Sequence, residues 1–406
     1  MVEGKFHDVD AYLAVHPDPQ VLRIPYGTGT SEGRMRQLVR AICGVCPDVV
    51  VSVNIGDVAS ALARIRLRSK WSPRLVITLH GIQADLTASV ADWAHVIDGV
   101  ICTNRLICEL VAKMSAMEAD RIYYAPYGVD MSCSMLCERT ENSVKPLRIA
   151  YVGRLERAQK RIQDLSAIAD ELDRRKIDYE LVIAGTGPDE IWLREQLSDA
   201  TAAGRVRFVG TLFGRELAEQ VYLATDVLLI TSLWETGPIV AWEAMAHGLV
   251  VVTSAYLGSG RESSLRSGEN CLTFPIGDAA TAVDRLEALA NPQLRAALRR
   301  GGISLVSSRY STAVSVSEWD SCLRQVAERA PLPMWAGKPF PSRRTPAGRL
   351  DRLLGARVGE SVREILGLRY RHDEPGGEWP HANVRGTVGE DSFWKLAKSL
   401  DELRQN

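Results

Sequence analysis

Two carboxylates eight residues apart, Glu235 and Glu243, sit in a stretch that changes character between them, from the turn Glu235-Thr236-Gly237-Pro238 to the apolar run Ile239-Val240-Ala241-Trp242. Proline is favoured in the first turn of a helix, so a helix is expected to begin near Pro238. Glu235 then stands on the preceding loop beside the amides of Thr236 and Gly237, and Glu243 faces inward about a turn and a half later. Ala241, Trp242, Ala244 and Met245 surround Glu243 with apolar groups, among which an unpaired carboxylate is costly. It needs a hydroxyl or a cation, and ribose hydroxyls would serve. The plainer alternative gives Glu235 to the helix dipole and Glu243 to a structural ion pair.

Cations suited to an anionic partner come earlier in the chain. Tyr151-Val152-Gly153-Arg154-Leu155 closes an apolar run, and Lys160-Arg161 follows shortly before the next helical stretch. Gly153 frees backbone at the strand end, and Arg154 and Lys160, six positions apart, can grip a diphosphate from two sides. A solvated basic loop is the alternative. Gly185-Thr186-Gly187-Pro188 and Gly210-Thr211-Leu212 each end a further apolar run. Such turns let backbone approach a base or phosphate, although purely steric glycines have the same appearance. His80 follows the run Leu75–Leu79 directly; its place after a strand favours a functional role, against the structural role usual for a lone histidine. Cys43-Gly44-Val45-Cys46 has metal or redox spacing, but without a second such pair or a nearby histidine pair it is expected to pack as core. Asp8-Val9-Asp10 forms a D-x-D before any clear strand, and its context argues for a chance match. No metal site is expected.

Short β-branched runs alternate with amphipathic stretches, which predicts an α/β protein with parallel sheets wrapped by helices. Strands are expected at Val21–Ile24, Val49–Val53, Leu75–Leu79, Gly99–Cys102 and Ile122–Ala125. A second set is expected at Leu147–Val152, Tyr179–Ala184, Val206–Val209, Val227–Thr231, Val250–Thr253 and Cys271–Phe274, with helices at Glu216–Ala224 and Pro238–His247 among the connections. The aperiodic stretch Met131–Pro146 reads as a linker. The expected organisation is therefore a Rossmann-like domain over 1–130, a linker over 131–146 and a second Rossmann-like domain over 147–328. Residues 329–406 form a Pro-rich segment and helical tail, with helices near Arg349–Leu366 and Asp391–Leu403. Ligands in open parallel sheets collect beyond the carboxyl ends of the strands, so the residues just after each strand are the ones to watch.

Taken in order, the motifs resemble the retaining glycosyltransferases of family 4. The E-x7-E signature of that family matches Glu235 through Glu243, its V-G-R-L with a following lysine matches Val152–Leu155 with Lys160, and its G-x-G-P turn matches Gly185–Pro188. The resemblance covers about Pro47 to Glu328. It implies the GT-B fold, two Rossmann-like domains facing a central cleft, here with a shortened first domain and a C-terminal helical appendage. It further implies that Arg154 and Lys160 bind the diphosphate of a nucleotide sugar and Glu243 its ribose, while Glu235 with the amides of Thr236 and Gly237 binds the transferred sugar. Gly153, Gly185, Thr186, Gly210, Leu212 and Pro238 complete the donor site, and His80 lies near the reacting sugar. The implied reaction is metal-independent transfer to a hydroxyl with retention, the leaving phosphate taking the acceptor proton, and no cofactor beyond the donor. The chain departs from the family before Pro47, where a first strand and Gly-rich loop are not visible. Either an N-terminal segment is missing or Gly27-Thr28-Gly29-Thr30-Ser31-Glu32-Gly33 replaces that loop before the helix Arg34–Ile42.

Bulk properties narrow the remaining choices. A chain of 406 residues exceeds what one core usually fills. A formal net charge of −1 gives no electrostatic case for nucleic acid. The start lacks an apolar run after a basic end, so a cytoplasmic location is expected, peripheral at the inner membrane face if the tail meets lipid. Residues 331–371 carry nine Lys or Arg against Asp351, Glu360 and Glu364, which would suit anionic lipid or acidic substrate; a solvated or partner-binding tail is the alternative. The acceptor is expected to be a hydroxyl-bearing glycan or lipid-linked glycan, as in envelope polysaccharide assembly. Two rivals remain. One is a catalytically silent nucleotide-sugar-binding scaffold with an incomplete acceptor domain. The other is a nicotinamide-dependent oxidoreductase using the Gly27–Gly33 cluster, disfavoured because no acidic residue follows the next strand convincingly.

Overall fold

The computed structural model describes residues 10, 13–14, 21–24, 27–53, 57–69, 71–131, 146–330, 332, 348–370 and 390–402. Almost all of the expected linker, together with Lys338–Arg344 and Asp373–Gly377, lies outside the described residues. The described residues fall into two compact units. One draws on 1–102, 110–123 and 322–393, the other on 103–109, 124–321 and 394–406.

The first unit is built on strands β1 (Val49–Val53), β2 (Arg74–Leu79), β3 (Gly99–Cys102) and β4 (Ile122–Tyr124), in the order β1-β2-β3-β4. β1 pairs with β2, and β2 with β3, in parallel. Every residue of β3 is buried, as expected of a parallel strand covered on both faces. Gly99 is required there, because a Cβ would lie 2.7 Å from Val326 Cγ2 and 3.1 Å from the Tyr123 ring. At the other edge, β1 has no neighbour beyond β2 among the described residues and leaves Val51 and Val53 exposed. The expected strand Val21–Ile24 does not form; only Ile24 makes an isolated bridge, and Leu22 is half exposed. Four residues ahead of Pro25 bury too little apolar surface to build a strand.

The second unit holds β5 (Leu147–Val152), β6 (Tyr179–Ala184), β7 (Val206–Gly210), β8 (Val227–Ile230), β9 (Val250–Ser254) and β10 (Cys271–Phe274). All pair in parallel, in the order β10-β9-β8-β5-β6-β7. Alternate residues serve opposite cores, as the two-residue period of a strand dictates. Ile149, Tyr151, Leu181, Ile183, Leu229 and Val252 pack on one face. Ala150, Val182, Ala184, Leu228 and Val251 pack on the other, with Trp242 of the helix Ile239–Ala246. Trp242 is among the largest fully buried side chains and stacks on Tyr310, ring centroids 4.1 Å apart.

Several local expectations are corrected. Glu216–Ala224 is not one helix: a turn at Gly214–Leu217 widens into a π-helical turn, Ala218–Tyr222, that buries Val221 and Tyr222. Pro238 caps its helix from outside, and helical geometry begins at Ile239. Cys43 and Cys46 are exposed rather than core. They lie at the end of the helix Ser31–Val45, where Cys46 takes a left-handed conformation (φ 51°) and its amide caps Ile42 O, which turns the pair outward. The tail helices form at Gly348–Leu366, broken at Gly355 (φ 76°, ψ 155°), and at Glu390–Glu402. They bury Glu360, Phe393 and Ala397 completely.

Candidate active site

The order of the second sheet determines where a ligand can sit. From β5 the chain moves outward through β6 and β7, then returns to the other side of β5 and moves outward through β8, β9 and β10. Connections leaving β5 and β8 therefore diverge, opening the sheet at the carboxyl ends of this strand pair, the position at which doubly wound sheets bind their ligands. The loop after β5 carries Gly153, Arg154 and Lys160, and the loop after β8 carries Glu235, Thr236 and Gly237.

Hydrogen bonds to backbone carbonyls stitch these two loops together. Leu233 N donates to Gln159 O (2.7 Å), Gln159 Nε2 to Trp234 O (3.1 Å) and Thr231 Oγ1 to Lys160 O (2.7 Å). Lys160 is thereby held so that Nζ donates to Glu235 Oε1 at 2.5 Å, and Ser232 Oγ donates to the same oxygen at 2.6 Å. Glu235 is buried, and Oε2 makes no hydrogen bond among the described residues. Glu235 N donates to Leu257 O (3.1 Å), which anchors the loop to the segment after β9. Gly237, with φ 117°, is half exposed, and its amide makes no hydrogen bond among the described residues. Arg154 is exposed and pairs with Glu156.

The neighbouring turns explain their own glycines. A Cβ on Gly185 would lie 1.9 Å from Gly153 O, and one on Gly187 would lie 2.3 Å from Leu155 O. These two are required by the packing of one loop on the other, which also joins Leu155 N to Thr186 O (2.9 Å). Gly210 differs, with φ 71° and open space around it. Thr186 and Thr211 hydroxyls lie 3.0 Å apart, and Leu212 is partly buried against the second core.

Glu243 is half-buried on the helix Ile239–Ala246, and the partner its apolar setting requires is Tyr222, whose hydroxyl donates to Oε2 at 2.7 Å. Burial first, and the Glu243 charge second, push the Tyr222 phenol far above its ordinary value, so it remains a neutral donor. The other carboxylate oxygen, Oε1, has no hydrogen bond among the described residues. Tyr222, Ser232 and Gln159 were not foreseen.

His80 belongs to the first unit. It follows β2, its Nε2 lies 2.8 Å from Thr78 Oγ1, and burial lowers its pKa, favouring the neutral ring. In the same unit, Gly27–Gly33 has an occupant from this chain: Thr28 and Thr30 hydroxyls donate to the two oxygens of Glu360 at 2.5 and 2.6 Å. A Cβ on Gly33 would lie 2.4 Å from Glu360 Oε1. Asp10 pairs with Arg23, while Asp8 and Val9 lie outside the described residues. Among the described residues no three His, Cys, Asp or Glu side chains group as metal ligands.

Comparison with known proteins meets this geometry at the second unit. Residues 146–291 match the family described as Glycosyl transferases group 1. That segment contains β5 to β10 and every candidate residue of the second unit. The chain is 33% identical over 271 residues to a glycogen synthase of Mycobacterium tuberculosis, a match covering 63% of this chain and 64% of that protein's length. It is 29% identical over 286 residues to a D-inositol 3-phosphate glycosyltransferase of Pseudarthrobacter chlorophenolicus, covering 64% of this chain and 67% of the relative. Among solved structures it is similar to HepE of Anabaena in complex with UDP, with a TM-score of 0.63 at 17% identity, covering 78% of this chain and 88% of HepE. The fold is α/β of the GT-B kind.

Proposed function

We propose that this protein is a retaining glycosyltransferase that moves a sugar from a nucleoside diphosphate donor to a hydroxyl acceptor. The observation that carries the reading is the Lys160–Glu235 contact across the β5/β8 divergence, inside the segment that matches the group 1 family. In this reading Arg154 and Lys160 meet the donor diphosphate and neutralise the charge that grows on it as the bond to the anomeric carbon breaks. The Oε1 of Glu243 accepts from a ribose hydroxyl, with Tyr222 holding the other oxygen. The Oε2 of Glu235 and the Gly237 amide read hydroxyls of the transferred sugar. The acceptor oxygen bonds to the anomeric carbon on the face the leaving group vacates, and its proton passes to the departing phosphate oxygen, which gives retention without a protein base. His80 is assigned to the sugar side as a neutral ring.

The acceptor class is a hydroxyl-bearing glycan or a lipid-linked glycan of the kind used in envelope polysaccharide assembly, met at the cytoplasmic side of the membrane. The test is a panel of nucleotide sugars with the purified chain, following nucleoside diphosphate release with and without cell-envelope acceptors, and the anomeric configuration of any product by NMR. Release that is lost in Glu243→Ala and Arg154→Ala supports the reading. Tight nucleotide binding with no turnover on any donor would replace it with a silent sugar-nucleotide-binding scaffold.

A further inference from the structure

The two helical pieces of Gly348–Leu366, on either side of the break at Gly355, are built inside out. Their buried side is polar: Asp351, Glu360 and Arg363 are buried, Glu360 completely. Glu360 accepts from Thr28 and Thr30, while Arg363 Nη1 lies 2.6 Å from Asp351 Oδ1 and 3.8 Å from Glu360 Oε2. Their outer side carries the apolar residues. Leu353 and Ile365 are 81% and 82% exposed, and Leu354, Val358, Leu366 and the following Leu368 are 45–63% exposed. A helix that covers a soluble domain normally turns its apolar stripe inward. Here the inward contacts are satisfied by ion pairs and hydroxyls, so the outer apolar residues are left for another apolar medium.

Charge on the exposed surface of the same two pieces identifies that medium. Arg349, Arg352, Arg357 and Arg369 are exposed, bracket the leucines and isoleucine, and have no ion pair among the described residues. The one exposed acid of the helix, Glu364, is taken by Arg36 (2.9 Å) and Arg40 (3.2 Å). The exposed surface of this segment therefore combines apolar side chains with unneutralised guanidinium groups. Lys338, Arg343 and Arg344 precede it closely in the chain. Arginine stems lie along apolar surface while their heads reach outward to phosphate, and an amphipathic helix so equipped rests in the headgroup layer of an anionic bilayer. No helix among the described residues is long and apolar enough to cross a membrane.

We propose that the exposed surface of Gly348–Leu366 docks on the surface of an anionic lipid bilayer, with Leu353 and Ile365 entering the acyl boundary and the flanking arginines meeting lipid phosphates. This goes beyond sugar transfer and stands without it, because plain phospholipids suffice to test it.

The full chain is mixed with vesicles of phosphatidylcholine alone or of phosphatidylcholine with phosphatidylglycerol, and bound protein is measured by flotation. Binding to the anionic vesicles is expected to exceed binding to the neutral ones at least about tenfold and to weaken with salt. Arg352→Gln and Arg357→Gln should each weaken it about fivefold. Leu353→Asp with Ile365→Asp should weaken it by about tenfold or more, with the thermal melting curve unchanged because both residues face water. Ile191→Asp, an exposed site in the other unit, should bind as the parent does. Equal binding to both vesicle types, or full binding by the Leu353/Ile365 variant, overturns the proposal. So does a dimer in lipid-free sedimentation that this variant abolishes, since the face then belongs to a second copy of the chain.

Discussion

Lys160 Nζ and Glu235 Oε1 lie 2.5 Å apart, although 75 residues separate them in the chain, and Ser232 shares the same carboxylate oxygen. In the proposed reading this cation meets the donor diphosphate, and together with Ser232 it fixes the Glu235 carboxylate in advance. Lys160→Met removes the charge and leaves Glu235 buried without its partner. Transfer is expected to fall about 10²- to 10³-fold in kcat, measured by nucleoside diphosphate release with saturating donor. Unfolding free energy should fall by about 1–3 kcal/mol, read from urea denaturation.

Tyr222→Phe tests the second carboxylate. The hydroxyl donates to Glu243 Oε2 at 2.7 Å and keeps its proton, since burial and the adjacent charge both raise its pKa. Removing it leaves the ring packing in place but frees the carboxylate to rotate. The donor KM should rise about three- to tenfold with little change in kcat, the pattern of a lost ground-state contact. An unchanged KM would separate Glu243 from donor binding.

The glycines divide into two kinds with different costs. Gly185 has φ 136°, and its missing Cβ would overlap Gly153 O at 1.9 Å, so Gly185→Ala must move the loop that bears Arg154. It should cost about 3 kcal/mol or more and abolish transfer. Gly210 has φ 71° but open surroundings, so Gly210→Ala should cost only about 1–2 kcal/mol. Denaturation midpoints of the two variants make the comparison.

His80 supplies a pH dependence. Burial lowers its folded pKa below the ordinary 6.5, so the unfolded chain takes up the proton first on acidification. Its stabilising contribution is complete above pH 6.5 and is lost as pH falls through the folded value. Between about pH 7.5 and pH 5 the thermal midpoint of the parent should fall further than that of His80→Gln.

Strand positions were legible because a parallel sheet leaves a local trace. Runs such as Leu181–Ala184 and Val250–Val252 are apolar throughout, with glycine close by at Gly185 and Gly248, and they fall within β6 and β9. The placement of Arg154, Lys160 and Glu235 on loops after strands, and of Glu243 on the helix Ile239–Ala246, was legible for a related reason, while their roles belong to the proposed function. Partners were not legible. Tyr222 reaches Glu243, Gln159 reaches Trp234 and Glu360 reaches Thr28 only after the chain has closed over 21, 75 and 332 residues, and nothing in the local pattern encodes those meetings. Cys43 and Cys46 were misjudged because burial was inferred from residue type, whereas a left-handed cap at Cys46 turns that corner outward.

Asp401 shows how far such a meeting can reach toward the site. Its carboxylate accepts from Gly258 N (2.7 Å) and Gly260 N (3.4 Å) through one oxygen and from Arg261 N (2.6 Å) through the other. On the same C-terminal helix, Trp394 packs on Trp234 with ring centroids 5.1 Å apart. Leu257, next to Gly258, donates to Leu233 O and accepts from Glu235 N, so the segment that Asp401 holds is bonded directly to the loop of Glu235. Asp401→Ala leaves three amides without their acceptor and should cost about 2–3 kcal/mol. Asp401→Asn retains one acceptor oxygen and should cost about half as much. If the segment positions Glu235, kcat should fall about tenfold in the alanine variant and recover in part in the asparagine variant, at temperatures where both remain folded. Loss of stability with unchanged kcat would confine Asp401 to holding the C-terminal helix in place.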